Sequence, residues 1–259
     1  MGTYREVFQR KEIKYLLNED QYSRLVPFLE TFAKTDEYGL SRINNIYYDT
    51  PDHRLIRTSM EKPLYKEKLR LRTYGETSDE TNAFIEIKKK YAGIVYKRRI
   101  SGPYKKMHEY LSGESDDIGS SQIAREIEAF RKLYMDLRPA MSICYDRIAM
   151  AGTEDRDFRV TFDSNIEWND ENSDLRDLKS GRALLKPGQH LMEIKVGNAF
   201  SRELSEKLSE LEIFPTSFSK YGAGYADMIR NSEAIDKKIL QFTNRRAEKM
   251  EMKGVAAYV

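Results

Sequence analysis

One segment of the chain, residues 65–74 with the sequence YKEKLRLRTY, has a basic residue at every second position from Lys66 to Arg72. Side chains two positions apart in a β-strand point to the same face. As a strand, this segment would carry cations on one face and mostly apolar groups on the other. The cationic face comprises Lys66, Lys68, Arg70 and Arg72. Such a face is either the solvated outside of a sheet or the lining of an interior that holds an anion.

The same alternation recurs along the chain and predicts about eight strands. Nearly every strand pairs a charged face, usually containing Lys or Arg, with an apolar face. The predicted strands cover residues 8–17, 42–48, 65–74, 83–91, 93–100, 140–149, 158–166 and 190–196, with a hairpin turn at Ala92-Gly93. A sheet of this size can close into a small barrel.

Helical patterns lie between the predicted strands. Asn18 and Thr50-Pro51 are typical of helix starts, and apolar residues at helical spacing mark further helices. The predicted helices span residues 18–32, 50–61, 121–137 and 201–211, with another after Tyr221 and a charged one from about residue 236. We therefore expect an α+β fold, a closed antiparallel eight-stranded β-barrel with helices packed outside.

The apolar stripes of the helices indicate which face of the sheet points inward. Each stripe needs an apolar partner, which the outer faces of a barrel can supply. The charged faces would then line the lumen, where cations repel one another strongly unless an anion is bound. The residues thus predict a basic tunnel for a phosphate-rich ligand, with several Glu to ligate a divalent cation. The opposite arrangement, an apolar core within a solvated charged shell, stays open at this stage.

The composition limits the class of protein. We expect one domain over residues 1–259, with a C-terminal helical segment from about 231 to 259. The net charge is only +2, so bulk charge gives no reason to expect a nucleic-acid partner. The single cysteine, Cys144, excludes an intramolecular disulfide and a thiolate metal cluster. Because the start lacks an apolar signal region and no run is long enough to span a membrane, we expect a soluble cytoplasmic protein.

Nine short motifs occur in order on the predicted strands and turns. They read FQRKEIKYLL, IYYDTPD, KLRLRTYG, FIEIKKK, YKRRI, CYDRIA, FRVTFD, LMEIKV and FSKYGAGY. Each motif alone is weak, but nine in order are specific. With them the chain resembles the VTC domain, the polyphosphate polymerase module of vacuolar transporter chaperone complexes, which belongs to the triphosphate tunnel metalloenzymes. The likeness extends from Phe8 to about Ile229.

The resemblance implies a set of phosphate-contacting residues. Arg70 and Arg72 form the RLR pair, and guanidinium groups can bind phosphate oxygens in a bidentate manner. The resemblance assigns catalytic contacts to Arg70, Arg72, Lys88, Arg147 and Lys220, and further phosphate or nucleotide contacts to Lys14, Lys68, Lys97, Arg99, Tyr145, Arg159 and Ser219. Tyr145 could instead pack in the barrel. Ser219-Lys220 precede a predicted helix, whose N-terminus could help to hold a phosphate.

Glu193 matches the carboxylate that ligates the divalent metal in the family, and the metal would be Mn²⁺ or Mg²⁺. Glu86 and Glu12 are second candidates, and each of the three could instead form a salt bridge. The first strand departs from the wider superfamily, whose E-x-E-x-K motif reads RKEIK here. Because Arg10 stands at the first Glu position, one metal-ligating carboxylate is missing, which favours the polymerase branch over the hydrolases.

The implied reaction is transfer of the γ-phosphoryl group of ATP to the end of a polyphosphate chain. Such transfers need positioning and charge neutralisation more than a protein nucleophile, and no catalytic triad is evident in the sequence. The expected partners are ATP and polyphosphate or diphosphate. Whether a separate membrane protein is a further partner, which would bring this protein to a membrane, stays open at this stage. The alternatives are a tunnel-type hydrolase of tripolyphosphate or nucleoside triphosphates, and a non-catalytic polyphosphate-binding module.

Overall fold

The strands of this computed structural model, which describes residues 11–92, 94–155, 157–197 and 201–232, belong to one antiparallel sheet. All eight segments predicted as strands are strands where they fall within these residues. They are β1 (Lys11–Leu17), β3 (Ser41–Asp49), β4 (Tyr65–Tyr74), β5 (Asn82–Tyr91), β6 (Ile94–Pro103), β7 (Arg138–Gly152), β8 (Arg159–Asn169) and β10 (His190–Val196). Three short strands were not predicted: β2 (Ala33–Thr35), β9 (Arg182–Ala183) and β11 (Pro215–Thr216).

The sheet curls into a half-barrel. Its hydrogen-bonded order is β11, β1, β10, β8, β7, β3, β4, β5, β6, with β2 on β7 and β9 on β8. Among the residues described, no backbone ladder joins β6 back to β1 or β11. The α+β class and the antiparallel sheet are confirmed, whereas the closed eight-stranded barrel is not. The assignment of a single domain stays a prediction.

In the described part of the chain, six helices connect or follow the strands. They are α1 (Glu19–Leu29), α2 (Arg54–Met60), α3 (Tyr104–Ser112), α4 (Gln122–Leu133), α5 (Arg202–Glu210) and α6 (residues 220–232). Asn18 caps α1 as predicted, through a capping box with Gln21. None of these helices combines the length and the apolar character that crossing a bilayer requires. The predicted charged helix near residue 236 and the first residues of the predicted strand 8–17 lie outside the described residues.

Helix α2 begins later than the predicted cap at Thr50-Pro51. Its N-cap is His53, which has a left-handed backbone conformation (φ 56°) and makes no side-chain capping bond. The buried carboxylate of Asp49 accepts instead from the backbone N–H groups of Leu55 and Ile56, at 2.8 and 3.0 Å. Unpaired N–H groups at a helix start need such an acceptor, and Asp49 supplies it from the end of β3.

Most helices pack on the convex side of the sheet, as predicted. Helices α1 and α5 cover apolar residues of β8 and β10, such as Phe162 and Ile194. Helices α3 and α4 cover apolar residues of β4 and β5, such as Leu69 and Ile87. Because Leu69 and Ile87 point to the convex side, the charged residues that alternate with them point to the concave side.

Helix α6 departs from the predicted arrangement because it packs against the concave face. Tyr221 is buried there and stacks on Tyr47 of β3, with ring centroids 4.5 Å apart. The approach is close: a Cβ at Gly224 would lie 2.5 Å from the sulfur of Met141 and 3.3 Å from the ring of Trp168. Glycine permits this contact. The helix thereby fills one end of the concave side and aims its N-terminus at the charged residues.

Candidate functional site

The predicted site residues lie on the concave face, on seven strands and at the start of α6. Apart from two cations at the margin, they form four groups linked by ion pairs and hydrogen bonds. The first surrounds Glu86, the second surrounds Asp163, the third joins the lysines of β1 and β4 to α6, and the fourth surrounds Glu193 and Glu12. Residues from distant parts of the sequence therefore line one cationic surface.

Glu86 of β5 is the counter-ion of the first group, and its side chain is only 1% exposed. The carboxylate lies 2.7 Å from the Nε atom of Arg70, 2.5 Å from Nζ of Lys97 and 3.7 Å from Arg72. Burial opposes its ionisation, but Arg70, Arg72 and Lys97 outweigh burial and lower its pKa to about 2. The carboxylate thus neutralises part of the cationic surface, and its alternative role as a metal ligand stays a prediction.

The two arginines of β4 are fixed by further hydrogen bonds. Arg70 donates to the Tyr47 hydroxyl at 3.1 Å. Arg72 donates to the Asn45 side-chain oxygen at 2.8 Å and to the Tyr145 hydroxyl at 3.2 Å. Both guanidinium groups are therefore held in place before any ligand binds. Buried Tyr145 serves as an acceptor for Arg72 as well as packing in the core.

The electrostatic effect of the cations appears in the Tyr47 phenol. Burial alone would raise its pKa. The positive charges of Arg70, Lys68 and Arg72 outweigh burial and lower the pKa to about 7. The site thus stabilises a buried negative charge, as a phosphate-binding surface must.

Asp163 of β8 is the counter-ion of the second group. Its buried carboxylate accepts two bonds from Arg147, at 2.6 and 2.8 Å, and one from Lys220. Lys220 also lies over the Tyr145 ring, 4.4 Å from its centroid. Burial opposes ionisation of Asp163, but Lys220 and Arg147 keep its pKa below the usual range. Asp163 thereby places a cation from the start of α6 beside a cation of β7.

The third group joins two lysines to the residues just before α6. Lys14 donates to the carbonyl of Phe218 at 2.9 Å, and Lys68 donates to the Ser219 hydroxyl at 2.9 Å. The Ser219 hydroxyl also accepts from the N–H of Gly222. Burial lowers the pKa of Lys68 to about 8; a Tyr47 phenolate would oppose this, and the nearby lysines reinforce it. A ligand anion would relieve the repulsion among these lysines.

Glu193 of β10 and Glu12 of β1, two of the carboxylates predicted to ligate the metal, lie on paired strands. Glu193 lies 2.6 Å from Lys195 and 3.8 Å from Lys14, and Glu12 is near enough to influence its ionisation. Burial opposes ionisation of Glu193, but Lys195 and Lys14 lower its pKa well below the usual range. Two adjacent carboxyl groups supply hard oxygen donors of the kind that Mg²⁺ and Mn²⁺ prefer.

The donor set at this pair is incomplete without substrate. Over the residues that the structure describes, no group of three or more His, Cys, Asp or Glu side chains is placed to hold a metal. Mg²⁺ commonly binds through one or two carboxylates together with substrate phosphates and water. Glu12 and Glu193 fit that pattern. Lys88 contacts Glu12 at 3.5 Å and so links β5 to the same pair.

Two predicted residues, Arg99 and Arg159, lie at the margin of the site. Arg99 is exposed and sits over the Phe84 ring, 4.9 Å from its centroid. Arg159, the first residue of β8, pairs with Asp36 at 3.5 Å. The structure therefore does not bring these two cations into the ion-pair groups, and their phosphate contacts stay predictions.

Several residues of the site were missed from the sequence. Tyr47 and Asn45 lie on the concave face of β3, and Lys195 lies on that of β10. Asp163 was recognised in a strand motif but not as a site residue. For Asp163 and Lys195 the signal was their alternation with apolar residues, which a count of cations alone overlooks. Asn45 and Tyr47 lie in a continuously buried strand that shows no such alternation.

Comparison with known proteins places this geometry in a family. The VTC domain family matches residues 9–229. A candidate adenylate cyclase from Bacillus halodurans is 15% identical, covers 83% of this chain and 94% of its own, and has a TM-score of 0.51. A candidate adenylyl cyclase from Hippeastrum, described as having a dominant triphosphatase activity, is 14% identical, covers 83% and 95%, and has a TM-score of 0.50.

A comparison with curated protein sequences gave no match. Because the two solved structures are only 15% and 14% identical to this chain, their similarity to it shows a shared tunnel fold and nothing more. The family match covers most of the chain, including each of the strands that carry the site. The chain therefore belongs to the VTC domain family.

Proposed function

We propose that the protein is an ATP-dependent polyphosphate polymerase. An oxygen of the terminal phosphate of the chain would attack the γ-phosphorus of ATP, and the bond from that phosphorus to the β-γ bridging oxygen would break. The product is a chain longer by one phosphate, and ADP leaves. The observation that carries this proposal is the pair Arg70 and Arg72, preorganised on buried Glu86 at the concave surface. Preorganised cations stabilise the charge that develops on the transferred group.

The rest of the site supports a reaction without a protein nucleophile. Cys144 is buried on the opposite face of β7, and burial raises the pKa of its thiol to about 11. His190 lies outside the groups described above, where it contacts Glu19 and stacks on Tyr22. Arg70, Arg72, Arg147 and Lys220 would position the phosphates. Glu12 and Glu193 would hold Mn²⁺ or Mg²⁺, which neutralises phosphate charge when bound.

The test is synthesis from ATP. Purified protein with ATP, diphosphate primer and Mn²⁺ is expected to form long polyphosphate, detected on a gel, with ADP released in proportion. Omitting the metal or adding a chelator is expected to stop synthesis. Release of phosphate alone, with no chain growth, would instead support a hydrolase, the activity described for the tunnel-fold protein from Hippeastrum. Tight polyphosphate binding without turnover would support a binding module.

Arg70→Ala is the sharpest variant for this assay. It removes the guanidinium that bridges Glu86 and Tyr47, and we expect synthesis to fall below detection while circular dichroism shows a folded protein. Arg125→Ala is the control, because Arg125 is exposed on α4, outside the strands of the concave face, and its side chain donates to the Ser120 carbonyl. Wild-type synthesis by Arg70→Ala would refute the assignment of the site.

A further inference from the structure

Four lysines form a strip along β4 and β5 that extends the cationic surface beyond the arginines. Lys66 lies directly opposite Lys90, and Lys68 lies directly opposite Lys88. Like charges placed opposite each other across a strand pair are destabilising. We call Lys66, Lys68, Lys88 and Lys90 the lysine strip. Two successive cross-strand pairs of the same charge require an explanation.

The carboxylates of the concave face do not neutralise this strip. Among the described residues, Lys88 alone of the four pairs with a carboxylate, that of Glu12. Lys66 donates instead to the carbonyl of Ser59 at the end of α2. Burial, then Lys90 and Lys62, lowers the pKa of Lys66. Within the described part of the chain, the strip therefore holds more cationic charge than the neighbouring carboxylates compensate.

The strip is continuous with the proposed reaction centre. Lys66, Lys68 and Arg70 share one face of β4, and four residues of strand span about 13 Å. Lys66 and Lys90 lie at the end of the two strands remote from Arg72. A phosphate polymer whose end sits at the arginines would thus meet the strip along its next units.

Along the concave face, arginines at the proposed reaction centre give way to lysines in the strip, and the two residue types bind phosphate differently. Arginine binds phosphate in a fixed, bidentate geometry, whereas lysine is a point charge on a flexible stem. We propose that Lys66 and Lys90 form a subsite for the polymerised part of the polyphosphate chain. The affinity of the protein for polyphosphate then rises with the length of that polymer. This inference rests on the proposed function because it takes inorganic polyphosphate as the ligand. Flexible contacts hold the chain while allowing it to move by one unit after each transfer.

The test compares the binding of two ligands, inorganic tripolyphosphate and long-chain inorganic polyphosphate. The double variant Lys66→Gln/Lys90→Gln is expected to bind long chains about tenfold more weakly, since two cation–phosphate contacts are lost, and tripolyphosphate within about twofold of wild type. The control is Lys105→Gln/Lys132→Gln, which removes two exposed lysines of α3 and α4. The control is expected to bind both ligands as wild type does.

Equal weakening for both ligands, or none for long chains, would overturn the inference. So would a wild-type protein that binds both lengths equally. Calorimetric binding needs no turnover, which keeps this test separate from the assay of synthesis. A wild-type protein that makes no polyphosphate, yet shows the length dependence and its loss in the variant, would refute the polymerase and leave the subsite in place.

Discussion

Two neighbouring regions of the concave face carry positive charge in different ways. In the arginine region, the guanidinium groups of Arg70, Arg72 and Arg147 are tied to the buried carboxylates of Glu86 and Asp163. In the lysine strip, three of the four ammonium groups have no carboxylate partner among the described residues. The first region is fixed before ligand binds. The second leaves its compensation to the ligand.

The difference shows how a fold can accommodate a polyanion without being destroyed by its own charge. Buried ions need partners, because removing one partner leaves an uncompensated charge out of water. In the strip, Lys90 is exposed and Lys88 is partly exposed, so water screens the repulsion there and lowers the cost of the excess charge. Stability and ligand affinity are thus controlled by different residues.

The largest expected effect comes from breaking the arginine region with Glu86→Gln. Arg70, Arg72 and Lys97 lose their shared counter-ion, so the free energy of unfolding should fall by about 3–5 kcal/mol. Urea denaturation of the variant and of the wild type measures this difference in the free energy of unfolding. The control is Glu128→Gln, an exposed partner of Lys132, which should cost less than about 1 kcal/mol. Equal costs for the two variants would remove the distinction between the regions.

Arg70→Lys keeps the charge but loses the forked geometry. Lysine cannot reach Glu86 and Tyr47 at once as the guanidinium does. We expect kcat for polyphosphate synthesis to fall about 100-fold, with a smaller change in stability than Glu86→Gln causes. Arg98→Lys, on the convex side beside Glu126, is the control. Full activity in Arg70→Lys would show that charge alone suffices in the arginine region.

Polyphosphate binding should take up protons above about pH 8. The free protein holds the pKa of Lys68 and of Lys97 at about 8, chiefly through burial, and a bound polyanion raises both. Affinity is then complete below the free pKa and falls as pH rises through it, by at most tenfold per pH unit for each linked proton. Calorimetry in two buffers of different ionisation enthalpy measures the uptake. Binding that is independent of pH between 7 and 10 would contradict this linkage.

The smallest expected effect on stability comes from removing a lysine of the lysine strip. Lys68→Gln removes a cation that has no carboxylate partner among the described residues, so the unfolding free energy should stay within about 1 kcal/mol of wild type, or rise. Long-chain polyphosphate affinity should nevertheless fall. Thermal unfolding and a binding titration on the same sample separate the two. A loss of stability as large as that of Glu86→Gln would show that the strip, too, is structurally compensated.

Much of the sheet could be predicted because alternation along a strand is a local property. β4 and β10 were predicted at their exact bounds, since charged and apolar residues alternate through both. The start of α2 was not predicted correctly, because the carboxylate of Asp49, in the preceding strand, accepts hydrogen bonds from backbone N–H groups in the first turn of that helix. Helix α3 was missed although Tyr104, Met107, Tyr110 and Leu111 have helical spacing and are buried. The two-residue strands β9 and β11 are too short to show any period.

The sequence predicts which residues of the candidate site share a strand face, but it does not predict the hydrogen bonds and ion pairs that join one strand to another. Alternation placed Arg70 and Arg72 on one surface, whereas their partners Asn45 and Tyr47 depend on the register between β3 and β4. The packing of α6 on the concave face follows from three-dimensional fit, including the close approach at Gly224. No periodicity in the sequence encodes these contacts.

The contacts of α6 also have a consequence for the order in which the protein folds. Lys14 meets Phe218 across 204 residues of sequence, Lys68 meets Ser219 across 151, and Asp49 accepts from Tyr221 across 172. Contacts between such distant residues form slowly, because long loops must close first. During synthesis, the hairpins of the central sheet can pair long before residues 218–221 leave the ribosome. The cationic surface is therefore completed only after the start of α6 has been made and has docked on the sheet.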